Sequence, residues 1–538
     1  MTLSGRSIIG FRRGSDISRT FTARDPVSGQ ALDPEFASAG SDEIEQAVRL
    51  SAQAFEAYGR LPGREKGKLL RRIASNLENI AAVVVERASR ETALPRARLE
   101  GETARTCNQL RLFAGVVEEG SWLMARIDRP DPERKPAAKP DIRSMLRPLG
   151  PVVVFAASNF PLAFSVAGGD TASALASGNP VIVKAHPAHP GTSELVGQAI
   201  GRAVQDCDLP EGVFSLLFDG GNHVGTALVK HPLVKAGGFT GSRAAGITLM
   251  QMAAARPEPI PFFAEMSSTN PVFILPGALE EKAEQIAAGL HSSFTLGGGQ
   301  FCTKPGMVFI PEGEAAGRFS TLLGERLRPP ASFHLLTEAI RSSYKSGIES
   351  RRKKSGLKAL AEFSPDSDSA VGAAIFMTDA KAFLGDPQLG IEIFGPVTLL
   401  VRHSSRDELF EIARTLEGHL TATIHGTEED LERFAELIRV LENKVGRLVF
   451  NGFPTGVEVG HATVHGGPFP ATSDGRTTSV GSLAIYRFCR PLCYQGFPPA
   501  VLPPELKDTN PLGIWRMVDG QLTKEPVTVG LEVKGQAQ

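Results

Sequence analysis

The residues PVVVFAASNF at positions 151–160 and NPVIVKAHPAHP at positions 179–190 indicate the fold most clearly. Each stretch contains a short run of β-branched residues, which is typical of a buried parallel strand, and each run ends in small and polar residues. Similar runs follow at 213–218 and 236–240, with stretches of helical length between them. The alternation predicts an α/β fold in which helices cover a parallel sheet.

The segments on either side extend this pattern in both directions. Residues 42–94 and 98–119 carry apolar residues at helical spacing, and the Pro- and charge-rich segment 126–147 then interrupts the pattern. A second strand–helix series over 271–450 is long enough for a second α/β domain. The end of the chain, 490–538, is Pro-rich with little periodicity.

The composition is that of an ordinary globular protein and excludes several classes of function. The chain has 538 residues, of which 42% are apolar, and a net charge of -1, without the basic excess that binding to nucleic acid requires. Five cysteines form neither a CxxC pair nor a metal-ligand cluster, so we expect no metal and no disulfide framework. We find no signal-peptide core and no run of about 18 apolar residues, so we expect a cytoplasmic protein without membrane contact.

Three short motifs carry candidate chemistry. Residues 239–246, FTGSRAAG, place glycines and a serine where a strand ends and a helix begins, which directs backbone amides at a phosphate. Residues 295–302, TLGGGQFC, place Cys302 after three glycines, which favours an accessible thiol beside free amides. Residues 261–265, PFFAE, place Glu265 after an apolar run, where burial is expected to raise its pKa toward that of a general base.

Each of these motifs alone has a simpler explanation. A glycine-rich turn serves many strand–helix connections, and a lone cysteine is often a packed apolar side chain. A glutamate at the end of a strand is often solvated. The residues by themselves therefore leave the functional interpretations open.

Six motifs taken together resemble the aldehyde dehydrogenase superfamily in their order and approximate spacing. The match spans about Asp25 to Gly481, which is nearly the whole chain. Agreement of all six by chance is far less probable than the simple explanation of any one of them. The motifs are Ser158-Asn159-Phe160-Pro161, Lys184, Phe239-Thr240-Gly241-Ser242, Glu265, Gly299-Gln300-Phe301-Cys302 and Glu392-Ile393-Phe394-Gly395-Pro396-Val397.

The resemblance implies an enzyme that oxidises an aldehyde to a carboxylic acid with NAD or NADP. Cys302 adds to the aldehyde, and the side-chain amide of Asn159 and the backbone N–H of Cys302 hold the oxyanion that forms. After hydride has passed to the nicotinamide, Glu265 activates the water that hydrolyses the thioester.

The same resemblance implies the cofactor contacts, residue by residue. Lys184 is expected at the adenosine ribose and Ser242 at the pyrophosphate. Glu392 is expected at the nicotinamide ribose, with Phe394 beside the nicotinamide. The other residues of the predicted cofactor site are Ser158, His186, Gly241 and Met266.

Three segments depart from the family pattern. Glu265 is followed by Met-Ser-Ser rather than by Leu-Gly-Gly, so the backbone after this residue has less freedom. Lys184 is followed by Ala-His-Pro, which places no carboxylate where it would repel a 2′-phosphate; with Lys184 and His186 present we favour NADP slightly over NAD. The segment 465–474, HGGPFPATSD, stands where most members have Pro-Phe-Gly-Gly.

This last segment, with residues 184–193 and 111–114, resembles one branch of the superfamily. The branch contains dehydrogenases of α-ketoglutaric semialdehyde (2,5-dioxopentanoate) and certain bacterial long-chain aldehyde dehydrogenases. The first substrate ends in a carboxylate, for which an arginine is the best partner, whereas a long-chain aldehyde needs an apolar tunnel. We expect 2,5-dioxopentanoate as the substrate, with a long-chain aldehyde as the alternative.

The substrate contacts are predicted on the helix over 98–119, which the family places along the substrate tunnel. Arg105 and Gln109 lie four residues apart and so on one helix face, and Arg105 is the candidate carboxylate clamp. Phe160 and Phe301 are the expected apolar walls. A solvated surface arginine is the simpler alternative for Arg105.

Two alternatives of another class remain at this stage. A protein with this fold and no catalysis would not need Cys302, Glu265 and Asn159 together. A CoA-acylating relative usually lacks the equivalent of Glu265, so its presence favours hydrolysis.

The resemblance also implies the organisation of the chain: a Rossmann-type cofactor domain, an α/β catalytic domain and a β-arm. The arm of the family crosses a subunit interface, so we expect a homodimer or a homotetramer. The predicted boundaries are 1–125 and 148–262 for the cofactor-binding domain, 126–147 and 482–500 for the oligomerisation arm, 263–481 for the catalytic domain and 501–538 for a C-terminal tail.

Overall fold

The structure, a computed structural model, describes residues 2–328 and 331–527. No helix within these two ranges is both long enough and apolar enough to span a membrane. The strands are β1 (Ile8–Ile9), β2 (Arg12–Arg13), β3 (Thr20–Arg24), β4 (Ala31–Ala37), β5 (Arg126–Asp128), β6 (Ile142–Pro148), β7 (Val152–Phe155), β8 (Val181–Lys184), β9 (Phe214–Leu217), β10 (Ala236–Thr240), β11 (Phe262–Glu265), β12 (Val272–Ile274), β13 (Met307–Pro311), β14 (Ser332–His334), β15 (Lys358–Glu362), β16 (Ala370–Gly372), β17 (Ala374–Asp379), β18 (Val397–His403), β19 (His419–His425), β20 (Val445–Phe450), β21 (Cys489–Gln495), β22 (Arg516–Val518) and β23 (Gln521–Thr523).

Helices alternate with these strands over most of the chain. The α-helices are α1 (Ser41–Tyr58), α2 (Gly63–Asn79), α3 (Ala81–Thr92), α4 (Arg96–Glu119), α5 (Gly169–Ser177), α6 (Pro190–Asp206), α7 (His223–Lys230), α8 (Arg243–Ala254), α9 (Pro276–Thr295), α10 (Glu314–Glu325), α11 (Glu338–Arg352), α12 (Ala380–Gly385), α13 (Arg406–Thr415), α14 (Glu428–Arg433) and α15 (Ala435–Glu442). Short 3-10 helices lie at Ser121–Leu123, Glu211–Val213, Leu296–Gly299, Pro387–Gly390, Ser482–Phe488, Pro499–Val501 and Pro504–Leu506.

The first sheet confirms the α/β fold that the β-branched runs predict. Within the described ranges it has seven strands in the order β11-β10-β7-β8-β9-β1-β2, and the first five of these are parallel. Val152 and Val154 pack with helices α2, α4, α5 and α6, whereas Val153 and Phe155 pack with α1, α7 and α8. Because alternate side chains of a strand face opposite sides, helices cover both faces of this sheet.

The second sheet contains the second predicted strand–helix series. Its strand order in the described chain is β15-β17-β18-β13-β12-β19-β20, and only the edge strand β15 runs antiparallel to its neighbour there. Phe273 and Phe309 belong to the core on one face, and Val272 and Val308 to the core on the other. The predicted domain boundary at residue 263 falls inside β11, so Glu265 is carried by the first sheet.

A third sheet is formed by segments that are far apart in sequence. Its order is β21-β6-β5-β22-β23, so the Pro- and charge-rich segment contributes β5 and β6, as an arm would. The expected separate tail after residue 500 needs correction, because β22 pairs with β5 and Met517 lies opposite Arg126. These last strands have three residues each, which is too short for a periodic pattern in the sequence.

The carboxyl ends of the parallel strands of the first sheet meet at one edge. Phe155 at the end of β7 lies opposite Lys184, and Thr240 at the end of β10 lies opposite Glu265. Ligands of open α/β sheets bind at this edge. The fold therefore brings the predicted motifs of four strands to one place.

Candidate active site

Cys302 lies on a turn that its preceding glycines make possible. Residues 297–299 have φ values of +58°, +67° and +67°, a conformation that L side chains rarely adopt. A Cβ on the last of them would lie 2.3 Å from the carbonyl oxygen of Gly395, so a glycine is required for this close approach. On the other side of the turn, the Nδ2 atom of Asn270 donates to the carbonyl oxygens of Cys302 and Lys304, at 2.9 and 3.0 Å.

Two cavities meet at Cys302, which is half-buried and lines both of them. The first, of about 300 Å³, is named the Glu392 cavity and follows the carboxyl edge of the first sheet. The second, of about 470 Å³, is named the Arg105 cavity and lies along α4. The predicted site residues that line the Glu392 cavity are Ser158, Asn159, Gly241, Ser242, Glu265, Met266, Cys302, Glu392 and Phe394.

The turn between β10 and α8 gives the Glu392 cavity the features of a phosphate site. Gly241 and Ser242 line the cavity, and Ser242 caps α8 by accepting a hydrogen bond from Ala245. The positive end of this helix therefore faces the cavity, and its first turn carries no acidic residue that would repel a phosphate. A dinucleotide fits this donor set.

Lys184 and His186 lie beside this cavity rather than in its wall. Neither is among the described residues that line it, although Lys184 ends β8 and His186 follows it, and the carboxyl end of β8 is next to that of β7. Burial, with the charges of His189 and Lys184, lowers the pKa of His186 well below its ordinary value. His186 is therefore neutral at pH 7, and Lys184 alone supplies positive charge at this position.

Glu392 is tied to the two serines that replace the usual glycines after Glu265. It is hydrogen-bonded to the Ser267 side chain and to the backbone of Ser268. Burial raises the pKa of Glu392, and the nearby Lys304 opposes this shift. The serine substitutions thus connect the segment after Glu265 to the segment that carries Glu392.

The Arg105 cavity is lined by one face of the first three turns of α4. Arg98, Glu102 and Arg105 come from this helix. Phe160 and Phe301, two of the predicted substrate residues, also line the cavity. The guanidinium carbon of Arg98 lies 5.0 and 4.6 Å from the centroids of these two rings. The cavity therefore combines two cations with aromatic surface.

The expected position of Gln109 needs correction. Gln109 is buried and does not belong to the described lining of the Arg105 cavity; it lies against Gly169 at the start of α5. Four residues advance a helix by about 6 Å along its axis. Gln109 therefore lies one turn beyond the part of α4 that the cavity reaches.

Asn159 lines the Glu392 cavity and is held there by hydrogen bonds. Its Nδ2 atom donates to the carbonyl oxygen of Gln300 at 3.0 Å, and its own carbonyl accepts a hydrogen bond from Nη2 of Arg98 at 2.7 Å. Asn159 and Cys302 both line the Glu392 cavity. The side-chain amide of Asn159 is thus held in the wall of a cavity that the sulfur of Cys302 also lines.

An unexpected histidine connects Cys302 to Glu265. Nε2 of His465 lies 3.6 Å from Sγ of Cys302 and 2.9 Å from Oε1 of Glu265. The second carboxylate oxygen of Glu265 accepts a hydrogen bond from Ser479 at 2.6 Å. His465 and Glu265 are both buried, and the three donor atoms of Cys302, His465 and Glu265 lie within 4.8 Å of one another.

This arrangement reverses the pKa shift that the sequence predicts for Glu265. Burial does raise the pKa of Glu265, but the charge of His465 and hydrogen bonds from His465 and Ser479 outweigh it, so its pKa lies below the ordinary value. Burial alone would lower the pKa of His465, but Glu265 and Cys302 raise it to about 10. The resting site therefore holds an imidazolium beside a carboxylate.

Sequence reasoning missed several residues that shape the site. In the sequence, His465 stands out only as part of a segment that departs from the family pattern, and Ser479 and Arg98 carry no signal. Lys304 was also missed, although its buried Nζ donates to the carbonyl oxygens of Ile393 and Val397, at 2.9 and 3.0 Å. The sequence signal that could have identified Lys304 is a charged residue only two positions after Cys302.

Comparison with known proteins agrees with this geometry. Residues 11–469 match the model of the aldehyde dehydrogenase family. The chain is 48% identical over 523 residues to α-ketoglutaric semialdehyde dehydrogenase 2 of Azospirillum brasilense, covering 97% of this chain and 100% of that protein. It is 44% identical to α-ketoglutaric semialdehyde dehydrogenase of Acinetobacter baylyi, covering 97% of this chain and 99% of that protein.

Solved structures of low sequence identity share the fold. A 1-pyrroline-5-carboxylate dehydrogenase from Thermus with bound NAD superposes with a TM-score of 0.76 at 20% identity, covering 91% of this chain and 92% of the other. An NADP-dependent glyceraldehyde-3-phosphate dehydrogenase from Bacillus halodurans in complex with NADP gives a TM-score of 0.77 at 20% identity, covering 92% and 99%.

The chain belongs to the aldehyde dehydrogenase family. It is an oxidoreductase that oxidises an aldehyde with NAD(P), and the Glu392 cavity fits the nucleotide. The close relatives of known name both act on a semialdehyde that carries a carboxylate.

Proposed function

We propose that this protein oxidises 2,5-dioxopentanoate to 2-oxoglutarate, with the carboxylate of the substrate bound between Arg98 and Arg105. The observation that carries the proposal is a pair of guanidinium nitrogens on the Arg105 cavity. The Nη1 atoms of Arg98 and Arg105 are both buried, and neither has a hydrogen-bond partner among the described residues. The names of the close relatives support the same substrate.

The other contacts of the two arginines hold their guanidinium groups in place. Nη2 of Arg98 donates to the carbonyl oxygen of Asn159, whereas Nε and Nη2 of Arg105 lie 3.3 and 3.2 Å from the carbonyl oxygen of Val457. The guanidinium carbon of Arg105 also lies 5.1 Å from the ring centroid of Phe164. Each group is thus fixed, and one of its nitrogens has no hydrogen-bond partner among the described residues, which a bound carboxylate would supply.

Charge also favours a substrate with a carboxylate over a long alkyl chain. Burial lowers the pKa of Arg98 and Arg105, which shows that the two cations are poorly hydrated. Between them, Glu102 is buried and its pKa is raised by burial, and Oε1 already accepts hydrogen bonds from the amides of Leu162 and Ala163. An alkyl chain would leave both desolvated cations without a new partner, so we do not propose a long-chain aldehyde.

The chemistry that we propose uses the residues at the junction of the two cavities. The sulfur of Cys302 attacks the aldehyde carbon, and the amide of Asn159 and the backbone N–H of Cys302 stabilise the oxyanion. NAD(P) accepts the hydride when bound in the Glu392 cavity. Hydrolysis of the thioester, supported by Glu265, then releases the acid.

Three finer assignments belong to the same proposal. We infer that NADP is used in preference to NAD, because Lys184 lies beside the cavity and no carboxylate follows it within three residues. We infer a homodimer or homotetramer in which β5, β6 and β21 form the arm. We also infer a cytoplasmic location.

The test compares two substrates in matched variants of α4. We expect Arg98→Met and Arg105→Met each to lower kcat/KM for 2,5-dioxopentanoate about 30-fold or more, because a charge-assisted hydrogen bond is lost. The kcat/KM for pentanal, which has no carboxylate, should change less than about threefold. Arg111→Met, also on α4, breaks a surface ion pair with Glu78 of α2; it is the control and should leave both values unchanged.

Equal losses on the two substrates would show that the arginines stabilise the site without binding the carboxylate. A wild-type enzyme that prefers a medium-chain alkanal to 2,5-dioxopentanoate would contradict the proposed substrate itself. Measuring both substrates with NAD and with NADP also tests the cofactor preference in the same series.

A further inference from the structure

We propose that His465 is a catalytic residue that carries a proton in both half-reactions, from the Cys302 thiol to Glu265 and later from the attacking water to Glu265. The inference rests on the proposed oxidation through a Cys302 thioester. The inference goes beyond that proposed reaction because it assigns the proton transfers to an imidazole between the sulfur and the carboxylate.

A single nitrogen of His465 faces both reacting groups. Nε2 contacts Sγ of Cys302 at 3.6 Å and Oε1 of Glu265 at 2.9 Å, whereas Nδ1 is buried and has no partner in the part of the chain that the structure describes. In a Ser-His-Asp triad the two ring nitrogens contact different partners. Here one nitrogen is within reach of both, so a proton on Nε2 can come from one and go to the other without rotation of the ring.

The backbone around His465 fixes the ring in this position. Its N–H donates to Oγ1 of Thr478 at 2.8 Å, and its carbonyl oxygen accepts a hydrogen bond from the N–H of Ser479 at 2.8 Å. The ring itself lies 6.0 Å from the ring of Phe164, and its side chain is fully buried. A residue held this firmly and buried this deeply is suited to transfer protons rather than to bind solvent.

The charged groups around His465 favour the same role. Glu265 and Cys302 face it directly; Arg487 acts on Glu265, and Arg105 and Arg447 lie near enough to Cys302 for their charges to interact with it. The charges of Glu265 and Cys302 raise the pKa of His465 to about 10, so it holds a proton in the resting enzyme. Once the sulfur is part of a thioester, one of these two charges is gone and the proton is held less tightly.

The first half-reaction balances with this assignment. The proton that Nε2 holds in the resting enzyme comes from the Cys302 thiol, whose S–H bond is already broken. The sulfur forms an S–C bond to the aldehyde carbon, and the π electrons of the C=O bond move to the oxygen. That carbon is oxidised when hydride leaves it for NAD(P)⁺, which the family reaction supplies. The proton then passes from Nε2 to Glu265, which lines the Glu392 cavity and so opens a path to solvent.

The second half-reaction uses the same path. Neutral Nε2 takes a proton from water as the new C–O bond forms, the C–S bond breaks, and the sulfur leaves as the nucleophile for the next cycle. The sum is aldehyde, NAD(P)⁺ and water converted to carboxylate, NAD(P)H and two protons. His465 therefore supports both steps, and Glu265 is the group through which protons leave.

The first experiment measures the thiol without any aldehyde, so it is independent of the proposed substrate. The rate of alkylation by iodoacetamide is measured against pH for the wild type, His465→Gln and His461→Gln. His461 is an exposed histidine of the same loop and serves as the matched control. We expect the alkylation midpoint of His465→Gln to move up by at least about one pH unit, because the imidazolium beside the sulfur is lost, and that of His461→Gln to stay unchanged.

The second experiment separates the two half-reactions by stopped-flow absorbance of NAD(P)H. His465→Gln should lower both the rate of the first turnover and the steady-state rate by about 100-fold, whereas His461→Gln should match the wild type. His465→Ala with added imidazole should recover part of the steady-state rate if the ring itself carries the proton. Thermal melting of each variant with and without NADP shows that the fold and the nucleotide site are retained.

Two results would overturn the role of His465. In the first, His465→Gln has the same alkylation profile and the same first-turnover rate as the wild type, and only Glu265→Gln loses activity. That result would make Glu265 the direct base. In the second, His465→Ala folds and binds the nucleotide, but added imidazole does not restore its steady-state rate, and the alkylation midpoint of His465→Gln does not shift. A wild type that oxidises pentanal but not 2,5-dioxopentanoate would contradict the substrate and leave this test intact.

Discussion

At the scale of single residues, Ser479 sets the protonation of Glu265. Its hydroxyl donates to Oε2 of Glu265 at 2.6 Å and is one of the contacts that lower the pKa of that carboxyl. Ser479→Ala removes this donor while His465 and Arg487 remain, so the pKa of Glu265 rises. We expect the acid limb of the kcat profile to move to higher pH by about one unit, the size of one charge-assisted hydrogen bond.

Steady-state rates between pH 5 and 9 measure this shift. Ser482→Ala is the control, because the hydroxyl of Ser482 contacts the carbonyl oxygen of His461 and not Glu265. An acid limb that stays in place in Ser479→Ala would mean that Glu265 does not titrate in the step that limits kcat.

The residues of the site differ in how far the sequence predicts them. Cys302 follows a glycine run, and Glu265 and Asn159 each lie at or just after the end of an apolar strand. The structure brings the three residues together in the lining of the Glu392 cavity. His465 and Ser479 come from the loop-like segment after residue 451, where no periodic pattern shows which way a side chain points. The direction of the Glu265 pKa shift depends on these two residues, so the sequence alone predicted it wrongly.

At the scale of elements, Lys304 joins the Cys302 turn to the segment before β18. Its buried Nζ donates to the carbonyl oxygens of Ile393 and Val397, on either side of Phe394. Burial lowers the pKa of Lys304 to about 8, partly opposed by the charge of Glu392. Lys304→Met leaves two carbonyl oxygens without their donor, so the segment that carries Glu392 and Phe394 loses its position.

We therefore expect Lys304→Met to raise the KM for the nucleotide about 10-fold and to change the KM for the aldehyde less than about threefold. Initial rates at varied nucleotide and aldehyde concentrations separate the two values. Lys381→Met, at an exposed position of α12, is the control. Equal changes in both KM values would assign Lys304 to the stability of the whole site instead.

Elements are predicted well where they are long and periodic. The helix expected over 98–119 is α4 (Arg96–Glu119). The four β-branched runs that predict the parallel sheet are the strands β7 to β10. The position of Gln109 was missed because a sequence shows the face of a helix but not how far along its axis a cavity reaches. The strands β22 and β23 were missed because three residues cannot show an alternating pattern.

At the scale of the whole molecule, buried neutral histidines make the fold sensitive to acid. His425 ends β19, which lies between β12 and the edge strand β20 of the second sheet, and its ring centroid lies 4.8 Å from that of Phe453. Its Nε2 atom is buried without a hydrogen-bond partner among the described residues. Burial, with the charge of Lys282, lowers the pKa of His425 to about 4 from an ordinary value of 6.5.

The sign of the effect on stability follows from this direction. The folded protein keeps His425 neutral, whereas the unfolded chain binds a proton once the pH falls below about 6.5. The contribution of His425 to the free energy of unfolding is therefore fully present above pH 6.5 and is lost as the pH falls toward 4. At pH 5 the loss is about 2 kcal/mol. In a chain of 538 residues this corresponds to about 2 °C in Tm.

Thermal melting at pH 7.5 and pH 5 of the wild type and His425→Gln isolates this contribution. Carboxylates with lowered pKa values also lose stability in acid, but they do so equally in both proteins, so the difference between the two Tm changes belongs to His425. We expect the fall in Tm to be about 2 °C smaller in His425→Gln, and unchanged in His223→Gln, which replaces an exposed histidine of α7. An identical fall in wild type and His425→Gln would show that the imidazole is reached by water, because only a hydrated ring keeps its ordinary affinity for a proton.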